Sequence, residues 1–493
     1  MYKLQQMKNL DNLIKEINYL YIKGDTNRTI SALAIDSRKC AANTLFVAQK
    51  GTQADGHDYI DAAIKNGASV VVCENIPPKM LDSIVYIQVI NPAVALGKLS
   101  SAFFDFPSAK ISLVGITGTN GKTSIATLLY TLVSNMGIKA GLLSTIKVMI
   151  NETEIEATHT TPDAIQINDY LSKMVQQGCE YAFMEVSSHA AEQSRIAGLK
   201  FRGAVFTNLT HDHLDYHLTF ANYRDAKKKF FDGLGNDAFA LINLDDKNGS
   251  FMLQNTKAQK KTFALKNMAS FMAKVLEFDF HGTQMTIDGV ELWTQFVGQF
   301  NASNILAVYA TALLLGFKKD TIITNISLLK PVNGRFDAIF TPSKKMVIID
   351  YAHTPDALEN VLSTISHIRK SNTKIFVVFG AGGDRDKTKR PEMAQAVQKY
   401  ADRIIITSDN PRSEEPEAIM DDIYNGIGLN ARTNVFKIAN RAEAIKVSLS
   451  MSAPNDIILI AGKGHENYQE IKGVKHHFND KELVMELENI KKI

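Results

Sequence analysis

Apolar residues recur along this chain in two rhythms. The near-continuous runs ISLVGI (111–116), YAFMEV (181–186), GAVFTNL (203–209) and FALINL (239–244) predict strands. MVIIDYA (346–352), KIFVVFG (374–380), RIIIT (403–407) and DIILIAG (456–462) repeat the pattern. Such β-branched runs suit a parallel sheet buried on both faces. Elsewhere the spacing is helical: Ile125, Leu128, Leu129, Leu132, Val133 and Met136 fall on one face of a helix. Residues 301–316 read as a buried helix, and 58–68 as a helix between the strands 45–51 and 69–74. Residues 251–300 read as short β segments without an interpretable motif. Pro107 among small polar residues marks a linker, and a new strand–helix block opens near Asp337. The expectation is an α/β protein of three domains, 1–107, 108–336 and 337–493.

Composition narrows the class. The 493 residues exceed one compact core, and 45% hydrophobic with 22% charged residues is ordinary globular usage. A net charge of +3 calls for neither nucleic acid nor an anionic membrane as partner. The 3 cysteines show no zinc-type spacing and suit a reducing compartment. The first residues offer no signal-peptide core, and no apolar run is long enough to span a bilayer. A cytoplasmic location is expected.

The densest chemistry lies in GITGTNGKTS (115–124), between a predicted strand and helix. Gly118 and Gly121 let the backbone of Thr119 and Asn120 curl so that N–H groups face an anion, ahead of Ser124 and the helix. Lys122 would reach β/γ-phosphates and the Thr123 hydroxyl a Mg²⁺ ion. The glycine spacing is a variant of the usual phosphate loop, and the reading is ATP binding. Glu185 ends a predicted strand, where a carboxylate completes a Mg²⁺ shell. TNLTHDHLDYH (207–217) reads by itself as a zinc site or as a solvated polar loop. The lysine run at 227–229, taken alone, reads as solvent-facing.

These segments form a recognisable series. GITGTNGKTS, TTPD (160–163), EVSSHA (185–190), TNLTHDHLDYH with YxxAK (223–227) and GQFNASN (298–304) resemble the Mur ligases. DYAHTPDAL (350–358), GAGGDRDKTKRP (380–391), DNPR (409–412) and GKGHE (462–466) extend the resemblance in the family's order. IDSR (35–38) and GTQADGH (51–57) are similar to its nucleotide-sugar segment. The resemblance implies a UDP-sugar-binding N-terminal domain, a central P-loop ATPase domain with a parallel sheet, and a Rossmann-like C-terminal domain that binds the amino acid. It implies a monomeric ATP-dependent carbon–nitrogen ligase of peptidoglycan precursor synthesis. The expected reaction adds meso-diaminopimelate to UDP-N-acetylmuramoyl-L-alanyl-D-glutamate through an acyl phosphate. The alternative is L-lysine or another diamino acid.

It also implies roles. Lys122, Glu185, His213 and Lys227 are the catalytic set. Thr123 and Glu185 would hold one Mg²⁺, and His213 with a CO₂-derived carbamate on Lys227 a second. Asn301, Arg335 and Asp350 join the loop in contacting ATP, with Arg335 alternatively a hinge residue. Ser37, Thr52, Gln53 and Ala54 would meet the UDP end. Thr160, Thr161, Ser187, Gln193 and Arg195 would surround the muramoyl peptide. Three loops after parallel strands, carrying Arg385, Arg412 and Glu466, should gather on one rim. A guanidinium fork there matches a carboxylate. In the family DNPR goes with diaminopimelate, so Arg385, Asp409, Asn410, Pro411, Arg412, Gly462 and Glu466 form the expected amino-acid site, Glu466 facing the distal ammonium.

Overall fold

The computed structural model describes residues 7–51, 54–157 and 159–490. Thr52 and Gln53, expected at the UDP end, lie outside the described residues. Three main sheets follow one another along the chain. The first has 5 strands in the order Tyr21–Lys23, Val85–Gln88, Ala68–Cys73, Thr44–Val47 and Ala32–Ala34. The helix Pro92–Phe103 packs on it; Asn91 caps its start by accepting the N–H groups of Ala93 and Val94. Gly97 of this helix meets the turn after Arg195 backbone to backbone. A Cβ at Gly97 would stand 2.4 Å from the Ala197 carbonyl oxygen, so only glycine permits the approach.

The second sheet has 11 strands, and Ser112–Thr117 lies in its middle. Its neighbours are Tyr181–Glu185 on one side and Gly203–Phe206 on the other, both parallel to it. The centre is parallel as expected, but both edges are antiparallel hairpins. The reason is local. Two residues join Lys147–Ile150 to Thr153–Glu156, and two join Gly282–Ile287 to Val290–Thr294. A link that short reverses the chain. The helices Lys122–Asn135 and Gln299–Leu314 share a buried cluster with one face of the sheet. Ala164–Gln176 and Phe220–Asp232 cover the other face through Ile167, Leu171, Tyr223 and Phe231.

The third sheet has 6 strands, ordered Asp337–Phe340, Met346–Asp350, Ile457–Ala461, Ile375–Phe379, Arg403–Ile406 and Val435–Lys437. All pair parallel except the first. The ends of its parallel strands therefore send their loops to one rim, where α/β sheets bind ligands. That rim is fastened from below. Arg441, fully buried, donates from Nε and NH2 to the Asp480 carboxylate at 2.8 and 2.7 Å, and from NH2 to the Ala461 carbonyl at 3.0 Å. Breaking a buried pair leaves an uncompensated charge. Arg441→Ala is expected to cost about 3–5 kcal/mol, read as a lower urea midpoint, and Arg441→Met with Asp480→Leu to recover much of it.

Candidate active site

The turn between Ser112–Thr117 and Lys122–Asn135 is held from several sides. Gly118 has φ 149°, and a Cβ there would stand 1.8 Å from Thr207 Oγ1. The Asn208 side-chain carbonyl accepts the Asn120 N–H at 2.9 Å, and the Asn208 backbone carbonyl accepts the Thr119 N–H at 2.8 Å. Thr119 Oγ1 lies 3.0 Å from the Tyr223 hydroxyl. Lys122 Nζ curls back to donate to the carbonyls of Gly118 and Thr119 at 2.9 and 2.7 Å. Its ammonium is thus parked over the loop, and burial pushes its pKa down against the pull of Glu185 and Asp212.

Beside the loop a cleft of about 660 Å³ opens between the central and C-terminal sheets. It brings together Lys122, Thr123, Thr160, Thr161, Glu185, Ser187, Arg195, His213, Lys227, Asn301, Arg335, Asp350 and Arg385 from distant parts of the chain. Thr123 and Ser124 stand in the first turn of the helix; Arg335 NH2 donates to Thr123 Oγ1 at 3.2 Å and packs on the Tyr351 ring at 4.3 Å. Asp350 accepts the N–H groups of Phe336 and Ala352, both at 2.7 Å, so its carboxylate braces the Arg335 loop. Asn301 anchors to the Val297 carbonyl at 3.0 Å.

The Glu185 carboxylate fits a cation. Its Oε1 accepts the Thr145 N–H at 2.7 Å, while Oε2 is buried with no hydrogen-bond partner. A buried unpaired carboxylate oxygen is costly unless something positive fills the space beside it. With the Thr123 hydroxyl this is an all-oxygen set, which Mg²⁺ prefers. The histidines of 207–217 go separate ways. His217 Nε2 meets Ser188 Oγ at 2.9 Å, and His211 meets Asp386 and Glu392 at 3.0 and 3.2 Å. His213, with φ 56°, turns its Nε2 to 3.4 Å from Asp212. Among the described residues no three His, Cys, Asp or Glu side chains form a ready-made metal cluster.

The lysine run departs from its expectation as a solvent-facing stretch. Lys227 is 1% and Lys228 6% exposed; only Lys229 points outward. The helix Phe220–Asp232 presents Tyr223, Ala226, Lys227 and Phe230 to the sheet, and the rotation that buries Tyr223 carries Lys227 inward. Its Nζ donates to the Gly118 carbonyl at 2.9 Å and lies over the Tyr223 ring at 4.6 Å. Burial, then Lys122, push its pKa well down, with Asp212 opposing. A lowered pKa makes the neutral, nucleophilic form of the amine easier to reach.

Two further groups complete the picture. Arg195 donates from Nε and NH2 to the Gln193 side-chain Oε1 at 3.0 and 2.7 Å and from NH1 to the Thr161 backbone carbonyl at 2.7 Å. Thr161 Oγ1 bonds the Glu185 carbonyl and accepts the Ser187 N–H. Thr145 Oγ1 donates to Thr160 Oγ1 at 3.1 Å. Asp409, Asn410, Pro411, Arg412, Gly462 and Glu466 do not line this cleft but cluster on the C-terminal rim. The two regions meet at Gly382, where a Cβ would lie 2.9 Å from Arg412 NH1 and 3.7 Å from Arg385 Cγ. Ser37 sits in a short helical turn of the first sheet's domain, and Ala54 precedes Asp55 there.

Across the cleft, Asp212, Asp356, Lys389 and His353, which carried no individual role in the sequence, form a seam with the loop. Asn120 Nδ2 donates to Asp356 Oδ2 at 3.0 Å, and Lys389 Nζ to Asp212 Oδ1 at 3.4 Å. His353 stands 4.0 Å from Asp212. Asp356 and His353 lie in the quoted DYAHTPDAL stretch, the one signal available for them. Burial holds His353 down at about 4 and His465 at about 3, below the ordinary 6.5. Below pH 6.5 the unfolded chain takes up protons that these folded imidazoles refuse, so stability falls with pH. Thermal midpoints are expected to fall as the pH drops from about 6.5 towards 4, and His353→Gln to flatten the slope.

Comparison with known proteins now decides the family. Residues 29–104 match the Mur ligase family catalytic domain, 116–312 the Mur ligase middle domain, and 334–464 the Mur ligase glutamate ligase domain. The chain belongs to the Mur ligases. A Mur ligase of Phocaeicola vulgatus, UDP-N-acetylmuramoyl-L-alanyl-D-glutamate–2,6-diaminopimelate ligase, is 52% identical over 97% of this chain and 99% of its own. The same-named ligase of Cytophaga hutchinsonii is 48% identical over 97% and 98%. A solved structure of a ligase of that name superposes with a TM-score of 0.65 at 33% identity, covering 93% of this chain and 95% of the other. MurF from Thermotoga maritima in complex with ADP shares the fold, with a TM-score of 0.61 at 18% identity and coverage of 93% and 97%. The three-domain α/β architecture is thus that of the Mur ligases, which are enzymes.

Proposed function

We propose that this Mur ligase joins meso-diaminopimelate to UDP-N-acetylmuramoyl-L-alanyl-D-glutamate at the cost of ATP, forming an acyl phosphate on the D-Glu carboxylate. The three units 1–107, 108–336 and 337–493 take the UDP end, ATP and the amino acid respectively. The observation that carries the reading is the junction at Gly382, where Arg412 of the amino-acid rim and Arg385 of the phosphate-loop cleft come against the same glycine. The name borne by the 52% identical relative supports it.

A carboxylate is a poor electrophile, and transfer of the γ-phosphoryl group makes it reactive. The protein's work is positioning and charge neutralisation. Lys122 swings from its carbonyl perch onto the phosphates. Asn301, Arg335 and Asp350 order the nucleotide side, while Thr160, Thr161, Ser187, Gln193 and Arg195 hold the acceptor peptide. Thr123 and Glu185 would hold one Mg²⁺, and His213 with carbamoylated Lys227 a second; bound Mg²⁺ neutralises phosphate charge. Carbamoylation turns the Lys227 amine into an oxygen-bearing anion, and this relieves its repulsion with Lys122. Ser37, Thr52, Gln53 and Ala54 remain the proposed UDP contacts. The proposal extends to a monomer acting in the cytoplasm, where ATP and UDP-linked precursors are found. No membrane or nucleic-acid partner enters this scheme, and among the described residues no helix is long and apolar enough to cross a membrane.

Arg412 is the proposed selector. It has φ 53°, donates from NH1 to the Gly383 carbonyl at 2.6 Å, and its Nε lies 3.5 Å from Glu470. A guanidinium clamped on two edges presents one orientation to a distal carboxylate. Phosphate release with the nucleotide dipeptide, ATP and a panel of amino acids tests the whole scheme. Diaminopimelate should be preferred to L-lysine, and Arg412→Ala should erase the preference by about ten- to a hundredfold. No ADP with any amino acid would refute the ligase; equal use of lysine would refute the selector.

A further inference from the structure

Lys463 is a lysine with no exposed surface, and the mechanism above leaves it idle. It follows the strand Ile457–Ala461 on the rim where Arg412 stands. Its Nζ donates to Glu466 Oε2 at 2.9 Å and to Asn410 Oδ1 at 3.1 Å. Those two acceptors are the residues proposed above for the far end of the incoming amino acid.

The contacts decide which way each acceptor faces. Asn410 Oδ1 also accepts the Glu470 N–H at 2.9 Å, so both of its lone pairs are used by donors. An amide oxygen fixed in that way leaves its NH₂ on the opposite side, and Asn410 Nδ2 indeed donates to Glu466 Oε2 at 2.8 Å. Were the amide reversed, two donors, the ammonium and the Glu470 N–H, would confront its NH₂. The Glu466 carboxylate is in turn held at Oε2 by two donors from two loops. The neighbouring Asp409 is a second buried carboxylate beside the same loop, since a Cβ on Gly462 would stand 2.5 Å from Asp409 Oδ2. Without a cation between them, two buried carboxylates repel.

We infer that Lys463 is the positioning residue of the amino-acid site: its ammonium fixes the Asn410 amide and the Glu466 carboxylate in the one arrangement that receives an ammonium-and-carboxylate chain end. The inference rests on the ligase reading above and deepens it. Lys463 touches no reacting atom, so its removal should be felt in recognition of the amino acid and not in use of ATP.

The test is a double-mutant cycle on the full-length enzyme with Lys463→Met, Glu466→Gln and the pair together. KM for meso-diaminopimelate should rise on the order of tenfold or more in Lys463→Met, with KM for ATP and for the nucleotide dipeptide unchanged and kcat nearly so. Because Lys463 acts through both Glu466 and Asn410, the double variant should have a higher KM for diaminopimelate than Glu466→Gln alone, by less than the sum of the two single effects. Lys463→Met strands a buried carboxylate and can fail to fold. The double variant buries no lone charge from the pair and then carries the comparison with Glu466→Gln by itself. An unchanged KM for diaminopimelate in Lys463→Met, an equal rise in all three KM values, or additive effects in the double variant would overturn the inference. Failure of the wild-type enzyme to use diaminopimelate would instead overturn the ligase reading, so the two failures are distinct.

Discussion

Replacing Lys122 by methionine should lower kcat on the order of 10³-fold, with a smaller rise in KM for ATP. The argument is electrostatic. In the structure the ammonium bonds two carbonyls of its own loop, Gly118 and Thr119, and burial already disfavours its charge. A triphosphate brings anionic oxygens to the same place, exchanging neutral acceptors for charged ones and strengthening each bond. That gain grows as negative charge shifts during phosphoryl transfer, which is why kcat should carry most of the loss. Methionine keeps the apolar stem and removes only the charge. Single-turnover ADP formation, separated from nucleotide binding by a displacement titration, is the measurement. Unimpaired phosphoryl transfer in a folded Lys122→Met enzyme would contradict the assignment.

Lys227→Met should cost on the order of 10²-fold or more in kcat, and activity of the native enzyme should depend on dissolved CO₂. Two lysines share the Gly118 carbonyl as an acceptor, at 2.9 Å from each ammonium. Like charges that close in a buried site favour loss of one proton, and the neutral amine can then add to CO₂, its nitrogen bonding the carbon and releasing a second proton to solvent. The carbamate formed is an anion beside the Lys122 cation, so the modified state is electrostatically better than the bare one. Degassed, bicarbonate-free buffer should slow the enzyme, and added bicarbonate should restore it. The Lys227→Met variant should be indifferent to both. Native activity independent of CO₂ would rule out the carbamate while leaving the Lys122 prediction intact.

The strands and the central helix could be read from periodicity because burial on both faces demands apolar runs, and these survive in a one-dimensional string. The phosphate loop was legible for a similar reason, since its chemistry is contiguous. What sequence alone misjudged was the direction of polar side chains. Three successive lysines look solvated, yet the helix turn that buries Tyr223 also buries Lys227. Only the family resemblance singled out Lys227. The seam across the cleft escaped notice because its partners, such as His211 and Asp386, are far apart in the chain and become neighbours only when two sheets meet. Lys463 escaped because a lysine between glycines reads as loop, and its meaning lies in Asn410 and Glu466. The antiparallel edges were invisible in the strand runs themselves and are set by two-residue links.

The backbone contact at Gly97 has a consequence for substrate length. It locks the helix Pro92–Phe103, in the domain that carries Ser37, to the turn after Arg195, so the proposed UDP and peptide contacts stand as two marks on one connected scaffold. A molecule anchored at both marks is gauged by its span, whatever the C-terminal unit does. A precursor shortened or lengthened between its uridine and its peptide would then misplace its carboxylate by the whole difference.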